Sequence, residues 1–128
     1  MNNRIYILVD KVIGSVLISD AVKQQFPDHD VVPIFTEFEV CDAHKDPNVV
    51  CLAQKRLTKL IPDIYETDLL VPTGPNWLVL IMGSVWFTAD YSIDKINLLQ
   101  YNLSERKYCL MDNPYIIGQE QEPDNVIA

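Results

Sequence analysis

Two glutamates, Glu37 and Glu39, are separated by a single residue in a segment that alternates apolar and polar side chains. In a β-strand this spacing places both carboxylates on one face, about 7 Å apart. The pair suits acid/base chemistry or the binding of two cationic groups, and charges at this position also protect an edge strand from pairing with another sheet. We therefore treat Glu37 and Glu39 as candidate partner-binding residues.

A thiol and an imidazole lie close together in the next segment. Cys41 and His44 are followed by Cys51, but the spacing matches no zinc motif of paired Cys-x-x-Cys type. Cys51 falls beside the apolar stripe of a predicted helix, which indicates a buried structural thiol. If a metal binds, Cys41 and His44 are the pair to suspect, but we predict no metal site, no cofactor and no catalytic residue.

A single glycine follows the first predicted strand. Asp10, Gly14 and Ser15 lie where a strand would lead into a helix, a place at which backbone amides can hold a phosphate group. Nucleotide-binding loops use two or three glycines, and no Lys-Ser or Lys-Thr pair follows here. These three residues are the candidate ligand site of an alternative function, that of a small α/β enzyme or ligand-binding domain.

Tyrosine and carboxylate side chains mix in the last third of the chain. Aromatic rings supply contact area at protein interfaces, and carboxylates attract a basic partner. The candidate partner-binding residues of this region are Asp90, Tyr91, Asp94, Tyr101 and Glu105.

The composition limits what these residues can do. The chain has 128 residues, 48% of them hydrophobic, and a net charge of −8, which predicts one folded domain and argues against a sequence-independent nucleic-acid binder. The odd number of cysteines, three, indicates a reducing compartment, so we expect a cytoplasmic location. The apolar run at 77–87 is shorter than the roughly twenty residues that span a membrane, so no membrane partner is expected.

Local patterns predict the elements of the first half. Residues 4–9 form an apolar run typical of a strand buried on both faces, and 12–26 carry a helical stripe. Residues 31–40 alternate like a strand, and Pro33 places that strand at a sheet edge. Asp46 and Pro47 read as the N-cap and first residue of a second helix.

The second half is less clear. Residues 68–71 and 77–87 look like two strands that pair as a hairpin. Ile93, Ile96, Leu99 and Leu103 could line a helix, or 95–103 and 107–111 could form a second hairpin. We prefer the hairpin because polar residues interrupt the helical stripe.

Together these patterns predict an α+β fold, with a mixed or antiparallel sheet of about five to six strands and two helices packed on it. Residues 1–117 would form a single globular domain and 118–128 an acidic, flexible C-terminal tail. The leading functional hypothesis is a small acidic binding protein that engages and masks a basic protein, as an immunity protein, inhibitor or adaptor does. A third hypothesis is a homodimeric subunit that pairs through its edge strand.

Overall fold

The computed structural model describes residues 3–60, 64, 67–88 and 96–111. The candidate residues Asp90, Tyr91 and Asp94 and the predicted tail at 118–128 lie outside this part. In chain order its elements are β1 (Arg4–Asp10), β2 (Val12–Ile13), β3 (Val16–Leu17), α1 (Ile18–Gln25), β4 (Asp30–Thr36), α2 (Glu37–Val40), α3 (Pro47–Thr58), β5 (Leu69–Val71), α4 (Asn76–Thr88), β6 (Leu99–Asn102) and β7 (Lys107–Leu110).

Strand β1 is the centre of a three-stranded parallel sheet with the order β4-β1-β5. Residues 5–9 of β1 are all buried, as the apolar run predicts for a strand covered on both faces. Ile5 and Ile7 pack with Ile18 and Val22 of α1. The opposite face of β1 packs against α3 and α4, so helices cover both sides of the sheet.

The hairpin of β6 and β7 lies beside β5. A single parallel bridge joins Leu70 to Leu98, and the amide of Leu70 donates to the carbonyl of Asn97 at 2.9 Å. Because β6 follows that bridge in the same direction as β5, the turn between β6 and β7 lies at the carboxyl end of the sheet. The preferred prediction of a hairpin in this region is confirmed.

The helix predicted at 12–26 is shorter than expected. Its first six residues instead form the antiparallel pair β2 and β3, joined by Gly14 and Ser15. Gly14 has a φ of 68°, a conformation that two-residue hairpin turns require and that glycine adopts without strain. Gly14 and Ser15 therefore do not lie at a strand-to-helix junction, and the local structure predicted for these two residues is wrong.

Two further predictions of strand structure are wrong. The strand predicted at 31–40 ends at Thr36, and Glu37 and Glu39 belong to the one-turn helix α2. The strand predicted at 77–87 is the helix α4, whose buried residues Leu78, Met82 and Trp86 recur at the helical period. The hairpin proposed between 68–71 and 77–87 therefore does not form.

Other sequence predictions are confirmed. β4 lies at an edge of the parallel sheet, as Pro33 indicates. Helix α3 begins with Pro47, and Asp46 accepts a hydrogen bond from the amide of Asn48 at 3.0 Å. The fold is α+β, but the described part has three small sheets and four helices instead of one large sheet with two. Within the described ranges, none of the helices is long and apolar enough to cross a membrane.

Candidate functional site

The carboxyl ends of the three parallel strands meet at one edge of the sheet. The chain leaves β1, crosses to β4 on one side, and then returns to β5 on the other side of β1. In open α/β sheets, ligands bind outside the carboxyl ends of the strands, at the point where the strand order reverses. In this chain that point lies between β1 and β5.

A cavity of about 460 Å³ opens at this edge, on the face of the sheet that carries α3 and α4. Its size is within the range of small-molecule sites in proteins. Residues from four segments line it: Val9 and Lys11 at the end of β1, five residues after β4 (Glu37, Val40, Cys41, Ala43 and His44), Val50 of α3, and Gly74, Pro75 and Trp77 at the start of α4.

Thr73 fixes the loop between β5 and α4 against β1. Its hydroxyl donates to the carbonyl of Val9 at 2.6 Å and accepts from the amide of Val9 at 3.0 Å. β5 ends at Val71 and does not pair with Val9. The Thr73 side chain therefore supplies the two hydrogen bonds to Val9 that the backbone of a longer β5 would make. Gly74 follows with a φ of 107°, and a β-carbon on it would lie 2.5 Å from Cγ2 of Val9. Only glycine fits this closely against β1.

An ion pair fixes the corner after β4. The Glu39 carboxylate accepts from the amide of Thr36 at 2.8 Å and from the guanidinium of Arg56 at 2.8 Å. Arg56 also donates to the carbonyl of Ile34 and lies over the ring of Phe35. The bond to Arg56, followed by that to Thr36, lowers the pKa of Glu39 to about 2. Glu39 therefore holds the α2 corner in place.

The cavity combines apolar walls with a few polar groups. Val9 and Val40 are buried, and Trp77 is half-buried, so the inner wall is apolar. Lys11 and the exposed Glu37 bring opposite charges to the opening. The amides of Leu78 and Val79 donate to the carbonyl of Pro75, and the amides of the two residues before them, Asn76 and Trp77, lie at the positive end of the α4 dipole.

Cys41 and His44 both line this cavity, so the pair that the sequence singles out does meet in one place. The Cys41 thiol donates to the carbonyl of Phe38 at 3.4 Å. Cys51 is exposed instead of buried, which makes the prediction of a buried structural thiol wrong. In the described part of the chain, no group of three or more His, Cys, Asp and Glu side chains is placed to hold a metal ion.

Asp10 has a structural partner. Its carboxylate accepts from the amide of Ser19 at 2.9 Å and from the Ser19 hydroxyl at 2.6 Å. Leu17, at the N-cap of α1, has no side-chain acceptor to offer, and Asp10 supplies that bond from the end of β1. Gly14 and Ser15 are exposed at the tip of the β2–β3 hairpin. Of the loop after β1, Lys11 is the residue that reaches the cavity.

The other candidate residues lie on two different sides of the molecule. Glu37 and Glu39 follow the edge strand β4, while Tyr101 and Glu105 belong to the β6–β7 hairpin beyond β5. Tyr101 packs edge-on against Tyr108, with ring centroids 5.2 Å apart. The Glu105 carboxylate accepts from the Cys109 thiol at 3.1 Å and raises the pKa of that thiol. These described residues therefore form two separate groups.

Lys11, Gly74 and Trp77 are among the cavity residues that the sequence reasoning missed. Trp77 begins the apolar run that predicts a strand at 77–87, and Gly74 lies between the two strands of that predicted hairpin. The Pro-Thr-Gly-Pro sequence directly after β5 was the available signal, because loops at the carboxyl ends of parallel strands build binding sites. Recognising it requires knowing that β1 and β5 are parallel neighbours.

Compared with known proteins, the chain matches no family model, no curated protein and no solved structure.

Proposed function

We propose that the chain binds a small organic molecule in the cavity at the carboxyl ends of β1, β4 and β5. The observation that carries this proposal is the position of a cavity of about 460 Å³ at the reversal of strand order in a parallel sheet. This is the ligand-binding alternative of the sequence analysis, at the same edge of the sheet but with a different set of residues.

The lining favours a ligand that joins an apolar body to an anionic group. The half-buried indole of Trp77 and the side chains of Val40 and Val50 supply apolar contact. Lys11 and the positive end of the α4 dipole attract negative charge. Glu37 offers an acceptor for a hydroxyl or amino group on the same molecule.

A fragment screen by NMR tests the proposal. A library that contains aromatic carboxylates, aromatic phosphates and neutral analogues of the same shape is added to the ¹⁵N-labelled chain. We expect the anionic members to shift the amides of Gly74, Trp77 and His44 more than the neutral analogues do.

A variant that fills the cavity provides the matched comparison. Ala43 lines the cavity, whereas Asn48 is exposed and lies outside its lining. Ala43→Phe should abolish the shifts, and Asn48→Phe, which adds the same ring elsewhere, should leave them. Shifts that are equally large in Ala43→Phe, or hits scattered over the surface, would exclude this cavity as the site.

Masking of a basic protein by acidic surface residues is the alternative proposal. It rests on the net charge of −8, which favours the encounter with a cationic partner. Affinity purification from the source cells followed by native mass spectrometry separates the two. A retained small mass supports ligand binding, and a stoichiometric basic protein that high salt removes supports masking.

A further inference from the structure

A second concave surface lies between α1 and the two hairpins, on the face of the sheet opposite the cavity. One end, which we call the closed end, is a pocket of about 220 Å³, and the other, the open end, is an adjoining depression of about 400 Å³. Ala21, Tyr101 and Tyr108 line both, so the two form one continuous surface. We call it the hairpin groove and define it by these three residues with Ile13, Val16, Arg106 and Lys107.

Apolar side chains are exposed at the closed end of the groove. Ile13 is 60% exposed and Val16 47% exposed on the β2–β3 hairpin, and Tyr101 is 46% exposed on the facing hairpin. Val12 and Leu17 add to the same short ribbon, so all four of its strand residues are exposed apolar side chains. Clustered exposure of this kind marks a binding surface.

The open end of the groove is cationic. Arg106 and Lys107 are adjacent, exposed and part of its lining, and neither forms an ion pair with another described residue. Glu105, which precedes them in the sequence, is directed to the Cys109 thiol, from which it accepts a hydrogen bond at 3.1 Å. Two exposed cations beside apolar side chains complement a partner that carries carboxylates.

Gln25 fixes the width of the groove. Its side-chain amide donates to the carbonyl of Tyr108 at 2.7 Å, and its side-chain oxygen accepts from the amide of Tyr108 at 2.9 Å. These two hydrogen bonds tie α1 to β7 and occupy the outward-facing amide and carbonyl of that strand at Tyr108. A partner is therefore unable to add as a further strand at this residue and must bind through side chains.

We propose that the hairpin groove docks an acidic peptide segment of another protein, with an apolar side chain in the closed end and carboxylates against Arg106 and Lys107. This docking goes beyond ligand binding at the carboxyl-edge cavity and uses different residues. It also assigns to the surface around Tyr101 a partner of opposite charge to the one that the sequence alone suggests.

The test is a selection of random peptides displayed on phage against the full-length protein. We expect a consensus with one large aromatic or aliphatic residue close to two or more Asp or Glu residues. Synthetic peptides of that consensus, labelled with fluorescein, then give dissociation constants by anisotropy, which should weaken as salt is raised.

Charge reversal at the open end should weaken binding about tenfold, because two exposed ion pairs are lost. The variant is R106E/K107E, and its matched control is K55E/K59E, which makes the same change in charge at the carboxyl end of α3. Ile13→Ser tests the apolar end and should also weaken binding severalfold. All substituted side chains are exposed, and circular dichroism confirms that each variant is folded.

Three results would overturn the proposal. The first is the absence of a consensus, or an acidic consensus whose affinity is the same in R106E/K107E and K55E/K59E. The second is a basic consensus, which would favour the masking of a basic protein instead. The third is binding of the selected peptides only after residues 118–128 are deleted, which would identify the chain's own C-terminal segment as the occupant. None of these results bears on the NMR test of the carboxyl-edge cavity.

Discussion

Substitution of three glycines by alanine separates backbone strain from steric contact. Gly74 and Gly14 both have positive φ, 107° and 68°, but only at Gly74 would a β-carbon meet other atoms, Cγ2 of Val9 at 2.5 Å and its Cβ at 3.2 Å. Gly83, in α4, has neither a positive φ nor a neighbour within 4 Å of an added β-carbon. An alanine would therefore meet both backbone strain and a steric contact at Gly74, strain alone at Gly14, and neither at Gly83.

The magnitudes follow from these differences. Positive φ costs an alanine about 1–2 kcal/mol, and overpacking a rigid contact costs about 1–3 kcal/mol. Val9 is 1% exposed and β-branched, so it cannot turn away. The loss of chain entropy in the unfolded state returns about 0.4–1 kcal/mol for each substitution. We expect the free energy of unfolding to fall by about 2–4 kcal/mol in Gly74→Ala and by about 1 kcal/mol in Gly14→Ala. In Gly83→Ala it should rise by about 0.5–1 kcal/mol.

Urea denaturation followed by far-UV circular dichroism measures these free energies of unfolding at one temperature. The double variant V9A/G74A is the internal check, because removing Cγ2 should make the two substitutions less costly together than their sum, by about 1–3 kcal/mol. If Gly74→Ala and Gly14→Ala lose the same free energy, and the double variant is additive, then the close approach of Gly74 to β1 is wrong.

Three further predictions concern single side chains. Asp10→Ala removes the acceptor that caps α1 and should lower the free energy of unfolding by about 1–2 kcal/mol in urea denaturation, whereas Asp20→Ala, at an exposed residue of the same helix, should cost less than about 0.5 kcal/mol. Glu39 has a folded pKa of about 2 against an ordinary value of 4.5, so its stabilising effect should be complete above pH 4.5 and lost as the pH falls through 2. Near neutral pH, Glu39→Gln should lower the free energy of unfolding by less than about 1 kcal/mol, because the Glu39–Arg56 pair is exposed. A loss that grows toward pH 2 would contradict the lowered pKa of Glu39. Cys109, whose pKa is raised by Glu105, should react with a thiol-specific disulfide reagent more slowly than the exposed Cys41, and equal rates measured by peptide mass spectrometry would contradict this.

The sequence predicts elements well where one pattern excludes the others. The apolar run of β1 and the Asp-Pro start of α3 each leave a single interpretation, and in β6 the polar residues that interrupt the helical stripe favour the hairpin over a helix. The prediction of a strand at 77–87, where the structure has helix α4, is wrong because apolar residues cover most of the helix surface. Trp77, Val79 and Ile81 are half-buried beside the core residues, and the narrow exposed face includes the apolar Leu80, which is 75% exposed, so the alternation of apolar and polar residues that marks a helix is weak.

The corner after β4 fails for a different reason. Thr36 and Glu39 have the spacing of a capping box, and the same residues also continue the alternation of the strand. The bond from the Thr36 amide to Glu39 shows that the capping interpretation holds. A sequence pattern of four residues could not decide between the two, because the deciding partner, Arg56, comes from another helix.

The candidate site is less predictable than the fold. Cys41 and His44 could be named from their spacing, since both lie in one loop. Lys11 and Trp77 join them only because β1 lies between β4 and β5, and strand order is not visible in local periodicity. Thr73 completes the ladder of a strand 64 residues away, a contact that no local pattern encodes.

Both neighbours of β1 lie later in the chain, and this sets the order in which the sheet can form during synthesis. β4 begins at Asp30. On the other side of β1, Arg4 forms an ion pair with Asp68, which lies beside β5 and 64 residues after Arg4 in the chain. At about 5–20 residues per second, a ribosome takes roughly 3 to 13 s to add that length. Through this interval a strand that is apolar on both faces lacks the second neighbour and the helix α4 that cover it. We expect general chaperones to bind nascent chains that end before α4 and to release those that extend past it.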